Sequence, residues 1–73
     1  MKFLNTKDSS SIQWARYDEK NHVLHVQFID NEMEYEYYKV SVAKWKALEK
    51  AASKGEYINH QIKPFHQYKK IAP

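Results

Sequence analysis

The chain has 73 residues, no cysteine, one glycine and a net charge of +3 from 12 basic and 9 acidic side chains. That length holds one domain, and the absence of cysteine excludes a disulfide framework, a thiolate metal site and a cysteine nucleophile. A lone glycine excludes a glycine-rich phosphate loop. No apolar run is long enough for a membrane span or a signal-peptide core, so a cytoplasmic chain without membrane contact is expected.

Residues 1–10 read as a flexible N-terminal arm ahead of a single domain at 11–73. Met1 to Leu4 can dock, whereas Asn5 to Ser10 is polar and turn-prone. Ile12 to Tyr17 alternates as a short strand, with Ile12, Trp14 and Arg16 on one face and Gln13, Ala15 and Tyr17 on the other. Neither face is cleanly sorted. A polar turn, Asp18 to Asn21, leads to a better strand at Val23 to Ile29, where Leu24, Val26 and Phe28 share a face opposite His25 and Gln27. Asp30-Asn31 makes a second turn. Met33 to Val40 is a third strand, with Met33, Tyr35 and Tyr37 opposite Glu34, Glu36 and Tyr38. Three strands joined by short turns predict an antiparallel meander with one buried face.

The period then changes from two to about 3.6. Ser41 suits an N-cap, and Val42, Trp45, Leu48, Ala51 and Ala52 recur at helical spacing as the face that packs on the sheet. Lys46, Lys50 and Lys54 recur on the opposite side. Gly55 falls where this helix should stop, which predicts a left-handed C′ residue. A second short helix is expected over Glu56 to Ile62, ended by Pro64, and the tail from Phe65 to Pro73 mixes aromatic and basic residues. The fold class is therefore α+β: a three-stranded antiparallel meander followed by two short helices packed on one face.

Charge is divided along the chain. Residues 1–40 carry five bases and seven acids, net −2, whereas residues 41–73 carry seven lysines and two glutamates, net +5. A basic half suits an anionic partner such as RNA or another polyanion, although a solvated helix face explains the same lysines.

The order of these features resembles the KTSC domain, a module named after the C-terminal extension of some lysyl-tRNA synthetases and also found alone in bacteria and phages. The resemblance runs from about Ser11 to Ile71. It rests on Leu24-His25-Val26-Gln27-Phe28, on the Tyr35-Glu36-Tyr37 signature, and on Ser53-Lys54-Gly55-Glu56-Tyr57-Ile58-Asn59 followed by Ile62-Lys63. Two departures are a hairpin one residue longer, with Asn31 where the family often has glycine, and Ser41 where it often has proline. The resemblance implies the α+β fold. It also implies RNA contact, through the attachment of such domains to a tRNA synthetase.

Each candidate site has a structural counterpart. Tyr35 and Tyr37 point to one face, where they can stack on bases or form core beneath the helix carrying Trp45 and Leu48. The sheet needs a cover, so core is expected. Glu34 and Glu36 on the other face would repel phosphate. Lys46, Lys50, Lys54 and Lys63, with Lys44 as an extension, form the candidate phosphate contacts, and Tyr57 or Phe65 the stacking partners. Ser53, Gly55 and Asn59 read first as a cap and turn between two helices, and otherwise as amides that with Lys54 hold a phosphate.

His22, His25, His60 and His66 match no zinc spacing, so no metal and no other cofactor is expected. No nucleophile motif or paired-carboxylate cleft stands out, and a chain of this size is not expected to enclose a cavity of several hundred Å³. The expected activity is therefore binding without catalysis: of RNA through the basic helical half, or alternatively of a charged protein or a second copy in a homodimer.

Overall fold

The computed structural model describes residues 2–4, 11–29 and 33–71. It is an α+β fold with five antiparallel strands in chain order: β1 (Lys2–Phe3), β2 (Ile12–Asp18), β3 (Val23–Phe28), β4 (Glu34–Tyr37) and β5 (Tyr68–Ile71). Between β4 and β5 lie α1 (Val42–Lys50), α2 (Lys54–Tyr57) and a π-helical segment, Ile58–Ile62. The three-stranded meander is thus the middle of a wider sheet. β1 pairs with β2, and β5 pairs with β4. Both added strands lie at edges, and β5 has three exposed residues of four, so neither shows the apolar alternation that marks a half-buried strand. Within the segment read as an arm, Leu4 is buried, while residues 5–10 lie outside those described. The Asp30-Asn31 turn also falls outside them.

The unsorted faces of β2 have a local cause. The register between β2 and β3 shifts between Ile12 and Trp14, as a bulge does, so the side-chain alternation changes phase there. Ile12, Ala15 and Tyr17 all enter the core, while Trp14 and Arg16 turn away from it. Across the inner face run two rows, Tyr17–Leu24–Tyr37–Tyr68 and Ala15–Val26–Tyr35–Lys70.

The helices cover part of that face. Trp45 stacks on Tyr17 with ring centroids 5.2 Å apart and planes 10° from parallel. Leu48, Ile58 and Ile62 complete the cluster with Leu24, Val26, Tyr37 and Val40. Ser41 is the N-cap of α1, its hydroxyl accepting from the Lys44 amide at 3.2 Å.

The end of α1 differs from the expectation. The helix stops at Lys50 because Ala51 is extended, and Ala52 is exposed rather than part of the packing face. Ser53 then caps α2 by accepting from the Glu56 amide at 3.3 Å. Gly55 lies inside α2 without a positive φ, so it is not a left-handed stop. Its requirement is space: a Cβ there would sit well inside van der Waals contact with Ser11 Oγ. Among the described residues, the positive-φ positions are His22 and Lys39, with φ of 56° and 57°. The first follows a turn held by Asp18, whose Oδ1 accepts from the Lys20 and Asn21 amides. Hydrogen bonding, first of all from the Asn21 side chain, holds the Asp18 carboxyl below its ordinary pKa.

Candidate nucleic-acid interface

Where the helical cover ends, the inner face opens into a cavity of about 430 Å³. It is a half-open groove and not an enclosed chamber. The sheet is five strands wide, and toward its last strand the helices leave Tyr68 exposed. The floor is Phe28, Tyr35, Tyr37 and Tyr68; Ser11, Asn59, Lys63 and Lys70 complete the lining among the described residues.

The rings form one continuous array. Phe28 meets Tyr35 edge-on at 5.6 Å, Tyr35 stacks on Tyr37 at 6.3 Å, and Tyr68 lies 5.9 Å from both tyrosines. Tyr37 is the buried end, at 2% exposure, and Tyr68 the open end, at 55%. Tyr37 is core, and half-buried Tyr35 packs against the core on one side and lines the cavity on the other. Burial, followed by the neighbouring Tyr35 and Tyr68, pushes the Tyr37 hydroxyl up to about 12, so it stays a neutral donor at physiological pH.

Two ammonium groups sit over this array. Lys63 Nζ is 4.6 Å from the Phe28 ring centroid and Lys70 Nζ 5.9 Å from that of Tyr35. Asn59 comes from the π-helical segment and Lys63 from its end, where the Lys63 amide donates to the Ile58 carbonyl five residues back, at 2.9 Å. The widened turn therefore presents both residues to the cavity. Such π-turns recur at functional sites. The lining contains no histidine or carboxylate among the described residues.

The other predicted residues are dispersed. Lys46 and Lys50 are exposed on α1. Lys54 belongs to the next helix and donates to the Ala51 carbonyl at 3.2 Å, so the four-residue lysine stripe is broken between Lys50 and Lys54. Lys44 is a structural tie: its ammonium donates to the Gln61 carbonyl at 3.0 Å and to His66 Nε2 at 2.8 Å, while Phe65 lies 4.9 Å beneath it. The opposite nitrogen of His66 faces the Tyr38 carbonyl at 2.8 Å, which requires that Nδ1 carry the proton. Tyr57 packs against the core, and Ser53 is occupied as a cap. Of the residues predicted for nucleic-acid contact, Lys63 alone reaches the cavity; Tyr35, Tyr37 and Asn59 join it from the family motif.

Ser11, Phe28, Tyr68 and Lys70 were not among the predicted site residues. The spacing of Tyr68 and Lys70 carried the signal. Two residues apart on a strand they share a face, and antiparallel pairing places them opposite Tyr37 and Tyr35.

The outer face of the sheet holds a different group. His25 is buried there between two carboxylates: its Nδ1 lies 3.0 Å from Glu34 Oε2 and 3.4 Å from Glu36 Oε2. Arg16 approaches Glu34 at 3.8 Å, and the indole of Trp14 donates to the Gln27 side chain.

These features define a small α+β domain built on a five-stranded meander with an aromatic, cationic cavity on its covered side. The KTSC domain family model matches residues 8–68, and the chain belongs to that family. Its fold is similar to the crystal structure of a KTSC domain protein from Yersinia pestis, with a TM-score of 0.82 and 31% sequence identity. The similarity covers 88% of this chain and 89% of that one. Comparison with curated proteins gave no match.

Proposed function

We propose that the protein is a small non-catalytic binding module that takes a single-stranded segment of RNA into the aromatic cavity. The observation that carries this reading is the coincidence of an open tyrosine array with two ammonium groups, Lys63 and Lys70. Unpaired bases stack on exposed aromatic rings for about 1–3 kcal/mol each, and lysines beside the rings meet the connecting phosphates. Ser11 and Asn59 supply polar groups for a 2′-hydroxyl or a base edge. Glu34 and Glu36 project from the opposite face and do not oppose a phosphate at the cavity. Lys46 and Lys50 extend the positive field without forming the site.

The test is a titration of labelled unstructured RNA and of tRNA, followed by anisotropy at about 50 and 200 mM salt. The K63A/K70A variant is expected to weaken binding and to lower the slope of log K against log salt by about 1.4, two phosphate contacts on a single strand. Tyr68→Ala should weaken binding about 5- to 150-fold with the salt slope unchanged. A K46A/K50A variant that loses the salt dependence while K63A/K70A keeps it moves the interface to α1.

A second reading, a protein-interaction module, is favoured by Phe3, which is 71% exposed and shares the outer face with Trp14. A concentration-dependent homodimer in light scattering, together with no RNA binding at low salt, selects it.

A further inference from the structure

The outer face brings three possible metal ligands together. His25 and Glu36 are directly paired across β3 and β4, and Glu34 lies two residues before Glu36, so all three side chains leave the same face. Their donor atoms lie within 4.8 Å of one another. A dication bound at about 2.0–2.2 Å to nitrogen and oxygen donors holds neighbouring donors roughly 3.0–3.5 Å apart, for angles between octahedral and tetrahedral. Nδ1 of His25 stands 3.0 and 3.4 Å from the two carboxylate oxygens. Without an ion, Nδ1 hydrogen-bonds the nearer Glu34 Oε2, and Glu36 Oε2 stands at 3.4 Å.

A supporting contact fixes one ligand. The Tyr38 hydroxyl donates to Glu36 Oε1 at 3.1 Å, which leaves Oε2 directed at His25. Ligating carboxylates are characteristically held in this way by a second hydrogen bond. Arg16 acts against the ion. Its guanidinium is 3.8 Å from Glu34 Oε2, and it is a like charge for any cation bound there. Its Nε is buried without a hydrogen-bond partner among the described residues, and Trp14 lies 5.1 Å beneath the guanidinium, so the side chain is placed by packing as well as by Glu34.

We propose that His25 Nδ1, Glu34 Oε2 and Glu36 Oε2 bind a divalent transition-metal ion on the open face of the sheet, with water completing its shell. Binding takes the Nδ1 lone pair, so the ring's one proton resides on Nε2 in the bound form. The neutral imidazole and two carboxylates then balance the dication. The site is independent of the cavity, which lies on the other face, so each can fail without the other.

The experiment is calorimetric titration of the tag-free chain with zinc chloride near pH 7.5, with imidazole nitrogen NMR identifying the histidine involved. One ion per chain and a shift confined to the His25 nitrogens are expected. His25→Ala and Glu36→Gln should each weaken zinc binding at least about tenfold. Arg16→Met should tighten it, a gain that a merely structural ion pair does not produce. Absence of binding at 1 mM zinc overturns the proposal. So does binding that shifts His22, His60 or His66 and survives Glu36→Gln. If His25→Ala does not fold, Glu36→Gln and the spectrum of the unmodified chain decide.

Discussion

The two faces of the sheet are built from the same strands by different physics. On the inner face, Tyr17, Leu24, Val26 and Tyr37 are at most 2% exposed and held by apolar burial and ring stacking. On the outer face, Arg16, His25, Glu34 and Glu36 form a polar, ionisable set, away from the face on which the described helices pack. The inner face therefore carries the stability, and its one uncovered end becomes the cavity. The outer face has no core to contribute to, and is free to hold charge.

The comparison is broken most directly by removing a tryptophan from each side. Trp45→Ala takes away the ring that covers Tyr17 and should cost about 3–5 kcal/mol in urea unfolding. Trp14→Ala on the half-buried outer face should cost about 1 kcal/mol or less. Equal losses would mean that the outer face contributes to the core after all.

Alkaline pH sharpens the same contrast. Burial raises Tyr37 to about 12, so its neutral form is favoured in the fold, and stability falls as pH rises above the ordinary tyrosine value. The loss attributable to this phenol should reach about 2 kcal/mol by pH 12. It is read as the difference between the original chain and Tyr37→Phe in denaturation at pH 8, 10 and 11. Parallel curves would sink the assignment.

The smallest expected effect is at the junction of the helices with β2. Gly55→Ala drives a methyl against Ser11 Oγ, but that hydroxyl can rotate, and alanine gains about 1 kcal/mol of helix propensity. Stability should change by no more than about 1 kcal/mol, while the Ser11 hydroxyl turns and alters the cavity wall. Serine-11 chemical shifts and thermal unfolding check both halves. A loss of several kcal/mol would show that the hydroxyl is locked.

Much of the architecture was legible. Leu24, Val26 and Phe28 announced β3, and Ser41, Trp45 and Leu48 announced α1 with its cap. The edge strands were not, because Lys2-Phe3 and Tyr68-Lys69-Lys70-Ile71 bury too little to carry a period. The cavity was half legible. Tyr35, Tyr37, Asn59 and Lys63 stand out in the sequence, yet their companions Ser11, Phe28, Tyr68 and Lys70 come from segments distant in the chain. Gly55 was noticed as a lone glycine, but its reason lies in Ser11, 44 positions away.

The sequence by itself determined the fold family, the central meander, the first helix and the sidedness of the tyrosine and glutamate pairs. The family follows from the resemblance of its motifs to the KTSC pattern; the meander, the helix and the sidedness follow from local periodicity, in which each side chain's direction is fixed by its neighbours in the chain. Tertiary structure decided which lysines face an aromatic array, how one histidine comes to stand between two carboxylates, and where a short chain leaves space. Those outcomes depend on strand register and on how far a helix reaches across a sheet, and both are set by packing between residues far apart in sequence.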